Sequence, residues 1–205
     1  MKIQLCALAS GLALAFAGTA SFAATDGTTV QEGFGNDATI TQAYNANTSA
    51  LIDQLGAINQ ATTSQNANLG SKAKTYQRGF NNNADTTQRY TVSAYSEIVQ
   101  HGGFNQADVA QSNGYDQYSK VYQKGVGNSV DVSQSWNSNA DSDIVQHGWF
   151  NTASVTQTSG RHQDAEVYQG GIANSATIMQ TGSYLNASAS QKGFMNTSNI
   201  TQTGW

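Results

Sequence analysis

Three histidines, one cysteine and a scatter of aspartates are the residues here with catalytic or metal-binding chemistry. His101 and His147 occupy the same place in two copies of one string, Ile-Val-Gln-His-Gly, and His162 lies in a stretch that reads as a loop. A metal site needs ligands converging on one ion at about 2 Å, and equal phase in a repeat sets the two histidines two repeats apart. Ser, His and Asp are all present, yet no serine sits in a Gly-x-Ser-x-Gly elbow and no phosphate-binding loop occurs. Asp108, Asp131 and Asp143 fall at outward positions, where charge restrains sideways aggregation. Cys6 is the single cysteine, so neither a disulfide framework nor a thiolate site is available. No catalytic residue, metal ligand or cofactor is assigned.

Side-chain amides carry the regular spacing that these groups lack. Gln31, Gln54, Gln77, Gln100, Gln123, Gln146 and Gln169 recur every 23 residues, and Gln191 follows after 22. A second series, Gln42, Gln65, Gln88, Gln111, Gln134, Gln157 and Gln180, keeps step, and Gln202 again follows after 22. The deletion therefore falls between Gln180 and Gln191, in a loop. An amide is both donor and acceptor, so equivalent glutamines stacked one above another satisfy themselves as a ladder, where a single buried amide would be costly.

Elements that position such ladders are legible around them. Two residues after each first glutamine comes a glycine, Gly33, Gly56, Gly79, Gly102, Gly125, Gly148, Gly171 or Gly193. Three further on comes Asn36, Asn59, Asn82, Asn105, Asn128, Asn151, Asn174 or Asn196. Both types tolerate tight or left-handed backbone, so Gly-x-x-Asn reads as a turn, with the asparagines stacking like the glutamines. On either side the residues alternate as small-x-branched-x-Gln, for instance Ser96, Ile98, Gln100 before the turn and Ala107, Val109, Gln111 after it. Period two marks a strand with one buried face. A second bend is marked by Asn45, Asn68, Gly114, Asn137, Gly160 and Gly182.

Two strands and two bends make one flat coil, and the expectation is an all-β, two-sheet β-solenoid of cross-β type with eight rungs. They span residues 25–47, 48–70, 71–93, 94–116, 117–139, 140–162, 163–184 and 185–205. At roughly 4.8 Å per rung, eight rungs rise about 38 Å. Helical repeats are excluded because no 3.6-residue apolar stripe appears.

Composition bounds the rest. Met1, Lys2, an apolar run over residues 3–17 and the small residues around Ser21 and Ala23 read as a secretory signal peptide, residues 1–23. Lys2 is its only charged residue, so the remainder carries 8 basic and 13 acidic residues, which argues against a nucleic-acid or anionic-membrane surface. Proline is absent while Gln, Asn, Ser, Thr, Gly and Ala dominate, a bias compatible with disorder or with amide-laddered cross-β stacking.

The string Gln-x-Gly-x-x-Asn-x-Ala-x-x-x-Gln, at residues 100–111 and 146–157, is similar to the curlin repeat of bacterial curli fibres, and the likeness extends over residues 25–205. That resemblance implies a secreted structural subunit, not an enzyme, exported across a Gram-negative outer membrane. It further implies templated end-to-end growth into an extracellular functional amyloid with roles in biofilm matrix, adhesion and aggregation. Implied partners are further copies of the chain, a nucleator or major-subunit curlin, and outer-membrane secretion machinery, with no nucleic acid and no membrane insertion. The serine often found six residues before the first glutamine is kept only at Ser71, and the resemblance does not separate the major subunit from the nucleator.

A longer period overlies the 23-residue one. Repeats four and six share Ile-Val-Gln-His-Gly, whereas Tyr76, Tyr122 and Tyr168 precede the first glutamine of repeats three, five and seven. This alternating outward stripe is a candidate lateral contact between fibres. The competing readings are a monomeric secreted β-solenoid that binds carbohydrate, which the uniform period and lack of clustered acids oppose, or an ice-binding one. The latter needs an unbroken threonine array, and Asp85, Asp108 and Asp131 interrupt it.

Overall fold

The computed structural model describes residues 25–205; the expected signal segment and its cleavage after Ala23 lie outside the described residues. Alternation of small or branched residues with polar ones gives sixteen strands and, among the described residues, no helix. The first strand of each rung is β1 (Asp26–Phe34), β3 (Ser49–Ala57), β5 (Lys72–Phe80), β7 (Tyr95–Gly103), β9 (Tyr118–Val126), β11 (Ser138–Trp149), β13 (Arg161–Ile172) or β15 (Leu185–Phe194). The second is β2 (Asp37–Ala43), β4 (Gln60–Asn66), β6 (Asn83–Arg89), β8 (Gln106–Ser112), β10 (Ser129–Ser135), β12 (Thr152–Thr158), β14 (Ser175–Thr181) or β16 (Thr197–Thr203).

Odd-numbered strands form one eight-stranded parallel sheet and even-numbered strands another, each in chain order. Register follows the repeat: Gln100 pairs with Gln77 and Gln123, and Gln111 with Gln88 and Gln134. The 22-residue step leaves register intact, Gln169 opposite Gln191 and Gln180 opposite Gln202, because the missing residue is taken from the bend between β14 and β15. The fold is a two-sheet β-solenoid of eight turns.

Small residues facing branched ones let the sheets close into a dry interior. Ile98, Val121, Ile144 and Val167 of the first sheet and Val132, Val155 and Ile178 of the second are fully buried, and one apolar cluster runs from Ala84 to Ala189 with Ile200 packed against it. In rung two the second-sheet position holds Thr63 while the first keeps Ile52, and in rung three both positions are threonine, Thr75 and Thr86, equally buried. The hydroxyls of Thr63 and Thr75 have no hydrogen-bond partner.

The bends correct one expectation. Glycines of the first bend do occupy a region closed to other residues: Gly102 has φ 120°, and a Cβ there would overlap the carbonyl oxygen of Gly125 on the next rung. The asparagines that follow are not the left-handed residues. That conformation belongs to the position before each of them, held by Ile58 (φ 58°), Asn81, Phe104 (φ 58°), Phe150 (φ 57°), Ala173 and Met195 as well as by Gly35 and Gly127. Left-handed backbone costs a branched or aromatic residue roughly 1–2 kcal/mol. Stacking offsets it, since each such N–H donates to the rung below, as Phe104 does to the Phe80 carbonyl at 3.1 Å. The second bend behaves alike: Tyr44, Tyr90 and Trp136 are left-handed, whereas Asn45, Asn68, Gly114, Asn137 and Gly160 are not.

Candidate functional site, the stacked amide ladders

Glutamine is the last inward residue of each strand, and alternation aims every copy into the space between the sheets. In the first sheet Nε2 of each glutamine donates to Oε1 of the next rung: Gln31 to Gln54 and Gln54 to Gln77 at 2.7 Å, Gln77 to Gln100 and Gln100 to Gln123 at 2.8 Å. The series continues through Gln146 and Gln169 to Gln191. The second sheet runs the same way, from Gln42 through Gln65, Gln88, Gln111, Gln134, Gln157 and Gln180 to Gln202, at 2.6 to 3.0 Å.

The second amide hydrogen crosses between sheets. Gln100 Nε2 also donates to the Asn83 carbonyl at 2.9 Å, and Gln134 Nε2 to the Tyr118 carbonyl at 2.8 Å. Each amide thus joins its rung to the next and one sheet to the other, so a group of zero exposure such as Gln100 has both hydrogens and its oxygen engaged. Periodicity alone does not show this cross-sheet bond, because it depends on the sheet separation.

The asparagines run in the opposite sense. Oδ1 of Asn82 accepts from the Asn105 backbone N–H at 3.2 Å and from its Nδ2 at 3.0 Å, while Asn82 Nδ2 donates to the Gly102 carbonyl of the following rung at 3.0 Å. Asn36, Asn59, Asn128, Asn151, Asn174 and Asn196 belong to the same column. The asparagine is therefore selected for its side chain, and the turn for its glycine.

Two further amides lie outside the repeat code. In the second bend Asn45, Asn68 and Asn137 donate to the carbonyls of Gln65, Gln88 and Gln157 on the next rung. Where glycine replaces that asparagine, at Gly114 and Gly160, a glutamine three residues later takes over: Gln117 donates to the Gln134 carbonyl at 3.1 Å and Gln163 to the Gln180 carbonyl at 3.3 Å. Glycine is required there because a Cβ at Gly114 would run into the Gln117 amide. Gln117 and Gln163 stand where Ser71 does in repeat three, and the signal that reveals them is the covariation within the chain: Asn with a small residue, Gly with Gln.

Outside, His101 and His147 have Lys124 between them in register. Tyr122 packs between their rings, at 5.9 and 5.5 Å, and Tyr168 follows at 6.1 Å from His147. Tyr76, Tyr122 and Tyr168 are half-buried on this face, a cover of alternating rings that spacing along one column does not reveal. Burial first, then Arg78 and Lys124, holds the His101 imidazole below its ordinary value of 6.5. His162 is not in a loop but is the second residue of β13, where its ring stacks on Tyr184 of the adjoining bend. Among the described residues no group of three His, Cys, Asp or Glu is placed to hold a metal ion. Asp108 is stacked between Asp85 and Asp131 in one column; burial and then the Asp108 charge raise both neighbours above the ordinary 3.8.

Parallel sheets that share one continuous amide lattice define a β-solenoid whose buried glutamine and asparagine columns run through all eight rungs of the described residues. Residues 171–204 match the family described as Curlin associated repeat, a segment that holds Gly171, Asn174, Gln180, Gln191, Gly193, Asn196 and Gln202. Over these residues the chain is similar to the curlin repeat. No curated protein matches it.

Proposed function

We propose that this chain is a secreted structural subunit of a curli-like extracellular amyloid fibre and that it grows by end-on addition of further copies. The observation that supports this reading is the direction of the ladders. Every glutamine donates toward higher rung number, so Gln191 Nε2 and Gln202 Nε2 donate only to the Ser175 and Asn186 carbonyls. At the opposite end the Oε1 atoms of Gln31 and Gln42 accept nothing among the described residues.

Rung eight of one copy over rung one of the next supplies both missing bonds and extends both sheets. The Asn196 side-chain oxygen would accept from Asn36 as Asn174 accepts from Asn196. Among the described residues the outer edges of β1, β2, β15 and β16 have no strand partner, and they would template strand addition in the same geometry. In the cell this reading places the chain outside a Gram-negative bacterium, in biofilm matrix, adhesion and aggregation. Its partners are further copies of the chain, a nucleator or major-subunit curlin, and outer-membrane secretion machinery.

Incubating the purified chain, following thioflavin fluorescence and imaging the product tests the proposal. Fibres with a meridional repeat of roughly 4.8 Å are expected after a lag that seeds abolish. A chain that stays monomeric by sedimentation over the same period and concentration rules it out.

A further inference from the structure

The outer faces of the two sheets differ in charge, and they differ rung by rung. On the second sheet Asp85, Asp108 and Asp131 form one acidic column over rungs three to five, and β12, β14 and β16 carry no charge at all. On the first sheet rung three presents Lys72, Lys74 and Arg78 outward and rung five presents Lys120 and Lys124, with Glu97 and His101 between them. Rungs six and seven reverse the sign with Asp141, Asp143, Asp164 and Glu166.

We infer that the second sheet of one copy docks flat on the first sheet of another, at the same height and with the same axial direction, so that the Asp85, Asp108 and Asp131 column meets the lysines and arginine of rungs three and five. This rests on the proposed fibre and identifies how fibres associate sideways; the occupant is a second copy of this chain.

Charge complementarity fixes both partner and register. In the matched arrangement three carboxylates and Arg89 lie opposite five cations and one glutamate. Sliding one copy by three rungs sets the same carboxylates against the Asp141, Asp143, Asp164 and Glu166 patch, and like charges facing each other are disfavoured. Shape agrees, since the residues on one side of the acidic column are short, Thr87, Ala110 and Ser133, and on the other Gln106 lies along the column, donating to Asp108 at 3.1 Å, between Asn83 and Ser129. Opposite them, the half-buried Tyr76 and Tyr122 lie between Lys74 and Arg78 and between Lys120 and Lys124 in sequence, so the acidic column meets apolar rings bordered by cations. Because the two docking faces are different surfaces of one molecule, the contact is heterologous and each added layer leaves a new face exposed.

Three full-length chains test this by bundle width in electron micrographs and by sedimentation: wild type, D85N/D108N/D131N, and a swap that adds K74E, R78E, K120E and K124E to D85K/D108K/D131K. Wild-type fibres are expected to bundle at low ionic strength and disperse as salt is added. The neutralised chain should form fibres at wild-type rate with several-fold less bundling and no salt dependence, and the swap should bundle again where either half of it alone does not. Unchanged or thicker bundles in the neutralised chain, the outcome if these carboxylates act only to keep fibres apart, overturn the inference. If no chain forms fibres, the end-on reading fails, and the faces are then read as soluble pairs of folded monomers; absence of salt-sensitive pairs overturns the lateral contact separately.

Discussion

A single buried amide in the second bend shows how closely each residue is tied to its neighbours. Gln117 supplies the hydrogen bond that Asn137 supplies in the next rung, and Gly114 makes the space for it. Q117A removes that bond and should cost about 1 kcal/mol of stability. G114N alone should cost more, since its side chain meets the Gln117 amide. G114N/Q117A should return close to wild type, because rung six already combines Asn137 with Ala140; denaturant midpoints of the three chains check the order. Charge at the surface gives a second prediction. Asp85 and Asp131 titrate above 3.8 in the fold, through burial first and the Asp108 charge second. The folded state thus takes up protons before the unfolded chain does, and stability rises as pH falls through the folded values toward 3.8. His101 acts the other way. Its folded value lies below 6.5, so its contribution is complete above 6.5 and is lost as pH falls from there through the folded value. Denaturation against pH should show a dip below 6.5 that H101Q removes, and an acid-side recovery that D108N diminishes.

Elements differ in what the chain discloses about them. Strand phase, sheet number and rung register are readable because period two and the 23-residue step independently place Ile98, Gln100, Val109 and Gln111 inward. Bend geometry is not, because it depends on contacts between rungs: bulky Phe104 and Phe150 accept left-handed backbone only when the rung below offers a carbonyl. Nor does the code show that the core is uneven. Threonine and valine look alike in a period-two pattern, yet Thr63 and Thr75 bury hydroxyls with no partner, as Ser119 and Ser142 do at the small positions of rungs five and six. T63V and T75V keep the branched shape and remove the unpaired oxygen, so each should stabilise the fold by about 1 kcal/mol, with the gain seen as slower hydrogen exchange in β4 and β5. The first bend gives the opposite case. G102A places a Cβ against the Gly125 carbonyl, and parallel stacking leaves no route around it, so rungs four and five should part locally and exchange protection there should fall.

At the scale of the whole molecule the ladders give the solenoid a polarity that neither sheet has by composition. Fourteen glutamine bonds all point the same way along the axis, so one end offers amide hydrogens and the other amide oxygens. Under the proposed end-on growth, a chain altered at one end only is a cap for one end of a fibre. Q31E/Q42E keeps rung eight, and it can still dock that rung onto an exposed rung one. Having docked, it presents two carboxylates that can accept from the incoming amides but no longer donate to Gln54 and Gln65, so the next rung would have to cover uncompensated charge facing those side-chain oxygens. Q191E/Q202E removes the amide donors at the opposite end. Added in small amount to wild-type chains on surface-held seeds, each variant should halt growth at a single end, the two variants at opposite ends, and the mixture at both. Equal slowing of both ends by either variant would mean that the ladder direction does not govern addition.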